Sequence, residues 1–186
     1  ESEWFEQVAE KYKTNQETKI IDIDNLDVEI DQAIDAFDEP YYDPSIVPSY
    51  LLSKAISQHY KVAISGDGGD ELLGGYKRVS EVMNSKSNNY SFLPFFYNIY
   101  PSFLGTGNFF LSKSRETLTA YSSYFEDKKL LKLMQVKNNS EYIKSLIPTD
   151  IDDYKQMMIT EYKFYLPEMM MLKIDRTSMI NSLEVR

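Results

Sequence analysis

The sequence predicts an α/β fold, with a few parallel strands in the N-terminal part and a mainly helical C-terminal part. Three observations carry this expectation. Lys61-Val62-Ala63-Ile64-Ser65 is a β-prone run with no charge after Lys61, the pattern of a buried strand in a parallel sheet. It runs into Gly66-Asp67-Gly68-Gly69 and then Asp70 and Glu71, a glycine turn followed by acidic residues that favour the first turn of a helix. Upstream, strand, helix, loop, helix and strand succeed one another in the order of a parallel crossover unit, whose right-handedness is nearly obligatory.

The chain opens on an amphipathic helix, Ser2–Tyr12, with Ser2 placed to cap it. Lys19-Ile20-Ile21-Asp22-Ile23 is the first strand candidate. Val28–Phe37 reads helical, because Ile30, Ala33, Ile34 and Phe37 recur at spacings of three and four. Asp38-Glu39-Pro40 ends that helix, since a residue before proline is pushed out of the helical region. Tyr41–Pro48 is a loop, and Ser49–Gln58 is a helix leading to the central strand. After the break at Gly74-Gly75 the pattern is helical or irregular to the end, with no internal repeat. Pro167 suits the first turn of a last helix, followed well by Glu168. On that helix Met169, Leu172, Met179, Ile180 and Leu183 form one apolar stripe, with Arg176 near its middle and Lys173 at its edge.

Composition narrows the function classes. The 186 residues make one domain or most of one, long enough for a real core. The absence of cysteine excludes a disulfide framework and a thiolate zinc site. A net charge of −9 argues against nucleic acid as a partner, because phosphate contacts need clustered Lys and Arg. No signal peptide is visible, and a cytoplasmic protein is expected. Ser91–Leu111 is the nearest approach to a membrane span, but Pro94, Asn98, Pro101, Gly105, Gly107 and Asn108 interrupt it. It reads as a loop or short helices packed on the domain, and no membrane partner is expected. His59, the only histidine, falls at a helix end where a cation complements the carbonyl dipole. Nothing else in the chain supports a Ser-His-Asp triad built on it.

The glycine turn is the first chemical feature. It is not G-x-G-x-x-G, because Glu71 holds the third glycine position, and no G-x-x-x-x-G-K-[ST] occurs. EF-hand spacing fails at Gly68, where an acidic ligand should stand. Asp67, Asp70 and Glu71 would repel a bare phosphate. The turn therefore either caps a short helix with solvated acids or receives a phosphate that already carries a divalent cation. The second feature is the pair Lys173 and Arg176. A guanidinium aimed at a core needs an anion. That anion is either a metal-bound phosphate shared with residues 66–71 or a structural partner such as Glu184 or Asp175.

Three stretches, taken in order, resemble one family. Ser65-Gly66-Asp67-Gly68-Gly69-Asp70-Glu71-Leu72-Leu73-Gly74-Gly75-Tyr76 resembles the second motif of the asparagine synthetase synthase domain. Asp38-Glu39-Pro40 and Asp43-Pro44-Ser45-Ile46-Val47-Pro48-Ser49-Tyr50-Leu51-Leu52-Ser53 resemble the segment before it. Leu172-Lys173-Ile174-Asp175-Arg176-Thr177-Ser178-Met179 with Ser182-Leu183-Glu184-Val185-Arg186 resembles the third motif. Residues 80–145 match nothing comparable.

The resemblance implies an adenine-nucleotide α-hydrolase-like fold. It further implies that residues 1–186 are part of a synthase domain truncated at both ends, lacking the upstream Ser- and Gly-rich ATP-pyrophosphate loop. The fragment alone is then expected to be inactive. The implied reaction is ATP-dependent amide formation, with aspartate or a similar carboxylate as substrate and Mg²⁺ as the metal. Ammonia would come from a glutaminase domain elsewhere in the full-length chain, and a homodimer is compatible with this picture. The resemblance places Ser65, Gly66, Gly68, Gly69 and Tyr76 at the nucleotide. Asp67 and Asp70 fall at the intermediate and the Mg²⁺-pyrophosphate, with Lys173 and Arg176 as catalytic cations. Some relatives carry Glu where Asp67 stands, and well-studied members carry a catalytic lysine where this chain has Arg176. Arginine clamps pyrophosphate bidentately but does not give up a proton near neutral pH. Two other readings compete: a related ligase amidating another carboxylate, and a non-catalytic nucleotide-binding relative.

Overall fold

A computed structural model describes residues 2–18, 26–41, 43–85, 92–101, 103–125, 128–133, 135 and 140–186. The chain forms two compact units, Glu1–Lys61 with Thr177–Leu183, and Val62–Arg176 with Glu184–Arg186.

Among the described residues, the secondary structure of the first unit is helical. Its elements are α1 (Ser2–Tyr12), α2 (Leu26–Ile34) and α3 (Ile46–Ser57). The strand expected at Lys19–Ile23 lies outside the described residues. α3 begins three residues before the expected Ser49, because Pro48 takes a position in its first turn, where its missing N–H costs nothing. Ala33, Ile46 and Tyr50 form the core between α2 and α3, backed by Phe37, Tyr41, Val47 and Leu51. Polar pairs fix the register. The Tyr50 hydroxyl donates to Gln32 Oε1 at 2.8 Å, and Lys54 meets Glu29 at 3.0 Å. The Glu29 hydrogen bond holds the Lys54 pKa above its ordinary value.

The second unit carries the strands. β1 (Val62–Ala63) pairs in parallel with β2 (Glu184–Val185), Val62 opposite Glu184 and Ala63 opposite Val185. Among the described residues this two-stranded ladder is the whole sheet. The central strand is thus shorter than the expected Lys61–Ser65, and it is not buried: Val62 is 49% and Ile64 90% exposed. The apolar run reported β propensity correctly, but burial depends on what packs against it, which a local pattern does not encode.

Helices make up the rest of the unit: α4 (Gly69–Leu73), α5 (Lys77–Ser85), α6 (Pro94–Ile99), α7 (Asn108–Leu111), α8 (Thr117–Ser122), α9 (Lys128–Leu133), α10 (Ser140–Ser145) and α11 (Asp153–Thr160). The aromatic-rich stretch forms the short helices α6 and α7, as expected, and among the described residues no helix is long and apolar enough to cross a membrane. Val79, Val82, Ala120, Tyr121 and Met157 form the core where α5, α8 and α11 meet. Asp152 caps α11 by accepting from the Lys155 N–H at 2.9 Å, and that bond lowers its pKa.

The last helix departs most from expectation. It does not begin at Pro167. α11 passes without a break into a π-helix, Glu161–Met171, with Pro167 inside it, and then into α12 (Leu172–Met179). A π-helical register already displaces the i→i−4 ladder, so a proline that would break an α-helix interior is accommodated. The expected stripe does share one face of α12, but that face is the exposed one. Leu172, Met179 and Ile180 of the expected apolar stripe are exposed, whereas Lys173, Thr177 and Ser178 are buried; only Leu183 of that stripe is fully enclosed.

Candidate functional site

The parallel ladder delivers the chain to the acidic glycine turn. The Arg186 N–H donates to the Ala63 carbonyl, and the Ser65 N–H to the Arg186 carbonyl, both at 2.9 Å. From the carboxyl end of β1 the chain then passes through Ile64 and Ser65 into Gly66. The turn closes when the Gly69 N–H donates to the Gly66 carbonyl at 3.2 Å. Gly68 has a left-handed backbone, φ +92°, and lies buried with Leu166 of the π-helix 3.6 Å from where a Cβ would stand. A side chain there would be strained by its backbone.

Ser65, Gly66 and Asp67 are exposed on this turn, as is Asp70 in the first turn of α4. The Asp67 N–H donates to Ser65 Oγ at 3.3 Å. Gly66 and Gly69 have open space where a Cβ would be, so their backbone is accessible to a ligand. Asp70 turns back over Gly75, whose absent Cβ would stand 1.9 Å from Asp70 Oδ1. α4 ends at Gly74, φ +71°, with its N–H donating to the Asp70 carbonyl at 2.8 Å. The Tyr154 hydroxyl lies 2.5 Å from where a Gly74 Cβ would be. The break at Gly74-Gly75 therefore has two separate causes, one in backbone conformation and one in the room Asp70 occupies.

Glu71 behaves differently from its acidic neighbours. It is 1% exposed, and its Oε1 accepts the Tyr76 hydroxyl proton at 2.5 Å. Burial and this bond both push the Tyr76 pKa well above the tyrosine range. The Tyr76 ring faces the Arg78 guanidinium at 3.7 Å, with Tyr165 on the same cation at 4.3 Å. Arg78 grips Glu161 with two parallel bonds of 2.7 Å, and the Tyr121 hydroxyl also donates to Glu161 Oε1. Glu161 is fully buried. Burial opposes the Arg78 charge, but the bonds to Glu161 and Tyr121 raise its pKa nonetheless. Sequence reasoning missed this pair. Arg78 stands two residues after the glycine motif, yet nothing in a sequence links it to a glutamate 83 positions away.

The two expected cations lie on α12, which continues the π-helix that touches Gly68. Lys173 is buried at 6% exposure, with Nζ 3.7 Å from Met170 Sδ, and Arg176 is half-buried. Glu184, named as one structural partner for Arg176, accepts from Arg186 Nε at 2.8 Å. Among the described residues, no group of three or more His, Asp and Glu side chains is gathered as a metal cage. Asp67 and Asp70 are the exposed carboxylates that could serve a magnesium ion, which takes one or two carboxylates and completes its shell with phosphate and water.

Comparison with known proteins adds a family to this geometry. The family model described as asparagine synthase matches residues 1–186. Over 69 residues, 37% of the chain, it is 36% identical to asparagine synthetase (glutamine-hydrolysing) 1 of Bacillus subtilis. It is 32% identical over 72 residues to a Mycobacterium tuberculosis protein provisionally named asparagine synthetase (glutamine-hydrolysing). A similarly named Methanocaldococcus jannaschii protein is 33% identical over 76 residues. The matched stretches cover 37 to 41% of this chain and only 11 to 15% of those relatives. No solved structure is significantly similar to it.

Proposed function

The chain belongs to the asparagine synthase family, and from that premise we propose that it contributes part of the site at which ATP activates aspartate for conversion to asparagine. The observation that carries the reading is the acidic turn at the carboxyl end of β1, where Asp67 and Asp70 are exposed beside open glycine backbone. The family's fold would be the adenine-nucleotide α-hydrolase type, and residues 1–186 a portion of its synthase domain.

In this reading the aspartate side-chain carboxylate attacks the α-phosphorus of ATP, pyrophosphate leaves, and a β-aspartyl-adenylate forms. Ammonia then attacks the acyl carbon, and AMP leaves. The relatives are named glutamine-hydrolysing, so ammonia would come from glutamine in a domain outside these residues. The Ser65 hydroxyl and the backbone at Gly66, Gly68 and Gly69 would position the nucleotide. Asp70, with Asp67, would hold Mg²⁺, which supplies charge neutralisation at the departing pyrophosphate. Lys173 and Arg176 would add fixed positive charge at that same end. Tyr76 would support the turn through Glu71, since its hydroxyl is already donated there.

The test is ATP–pyrophosphate exchange in the full-length protein, with aspartate and with other carboxylic acids. Exchange that requires aspartate supports the proposal. Exchange with another acid only would make this a related ligase, and none with any acid a nucleotide-binding relative without turnover.

A further inference from the structure

In the proposed site the acidic turn and the helix bearing Lys173 and Arg176, distant in sequence, would have to act on one nucleotide. The described contacts supply a continuous route. α4 presents buried Glu71 to the Tyr76 hydroxyl at 2.5 Å. The Tyr76 ring stacks on the Arg78 guanidinium at 3.7 Å. Arg78 holds Glu161 by two bonds of 2.7 Å, and Tyr121 donates to the same carboxylate. Glu161 is the first residue of the π-helix, which carries Leu166 against Gly68 and leads into α12. The hydrogen-bonded links are directional and end on Glu71 and Glu161, both buried, where a misplaced partner leaves a desolvated carboxylate.

We propose that Arg78 and Glu161 are positioning residues for the nucleotide site, setting the acidic turn against the cationic helix through Tyr76 and Glu71. This rests on the proposed function for its chemistry, though not for its geometry. A purely structural pair would need only to be stable, and a buried ion pair is a poor way to gain stability: replacing one by packed apolar residues is commonly neutral or better. What such a pair does supply is a fixed distance and angle. The location at the onset of a π-helical register is consistent with that purpose, because such registers occur frequently at functional sites.

The experiment separates stability from positioning. In the full-length protein, Arg78→Met, Glu161→Leu and Tyr121→Phe are combined, so that no buried polar partner is orphaned. Arg78→Lys is a second, milder variant that keeps the charge and loses the two-pronged grip. Melting temperature, hydrogen exchange at the amides of α4 and of the π-helix, and ATP–pyrophosphate exchange are measured together. The expected result is a melting temperature near wild type, faster amide exchange in α4 and the π-helix together, and catalytic exchange lowered about tenfold to a hundredfold. Arg78→Lys should fall between. Unchanged amide protection in both variants overturns the positioning role, whatever the activity. Coupled loss of protection in a protein whose wild type shows no exchange keeps the positioning role and removes the proposed reaction instead.

Discussion

Gly75 leaves room for the Asp70 carboxylate: a Cβ on Gly75 would stand 1.9 Å from Asp70 Oδ1. The obstacle is the end of an exposed side chain, so Gly75→Ala should move that carboxylate at little cost to the fold. Melting temperature should change by a few degrees at most. If Asp70 holds the metal-bound phosphate, exchange activity should nonetheless drop by about tenfold or more. Full activity would mean that the placement of this carboxylate is immaterial.

Asp70→Asn should cost more than Asp67→Glu. The amide keeps the size of Asp70 but removes its charge, whereas the longer carboxylate at Asp67 is exposed and has space to adapt. A loss of about a hundredfold is expected for Asp70→Asn if it stabilises the leaving pyrophosphate. Equal activity of Asp70→Asn and wild type would reduce the turn to a helix cap.

The asymmetry between what could and could not be read from the sequence has a physical origin. The turn at residues 66–75 was legible because glycine conformation, helix-favouring acids and strand propensity are local properties. The helices α2 and α3 were legible for the same reason, to within a few residues. Burial was not. Val62 and Ile64 have the composition of an interior strand and are exposed, and so are Leu172, Met179 and Ile180 of the last helix's apolar stripe, although Leu172–Met179 keeps the α-helical register. Glu71 could not be told from Asp70 by type, yet one is enclosed and the other is not. The Arg78–Glu161 pair depends on the packing of α5, α8 and α11, which no short motif specifies.

Alkaline pH should destabilise the second unit. Burial, reinforced by the Glu161 bond, raises the Tyr121 pKa above 10.0, and burial with the Glu81 bond takes Tyr124 to about 12. Both phenols keep their protons longer when folded than when unfolded. Their contribution is therefore complete below about pH 10 and is lost as pH climbs through the folded values. Denaturant titrations should show unfolding free energy declining from about pH 10 upward, with a shallower decline in Tyr121→Phe. An identical slope in that variant would mean Tyr121 is not among the groups responsible.

Lys173 and Arg176 are proposed to supply positive charge at the nucleotide site, and substitution by methionine asks each one separately. Lys173 is nearly enclosed, so its charge is costly unless an anion meets it, while half-buried Arg176 can reach outward. If the anion for either residue is a protein carboxylate, methionine leaves that acid stranded, and the unit should lose about 3–5 kcal/mol of stability where the pair is buried. If the anion is the ligand, removing the cation strands no acid in the unliganded protein. Its melting temperature should then hold or rise while pyrophosphate exchange collapses. Arg176→Lys adds a finer comparison, because lysine keeps the charge but lacks the planar fork that grips two oxygens at once. Partial activity in Arg176→Lys with little in Arg176→Met would assign Arg176 to electrostatic stabilisation of pyrophosphate. Full activity and unchanged stability in both methionine variants would leave α12 with packing as its contribution, and the reaction would have to find its positive charge elsewhere.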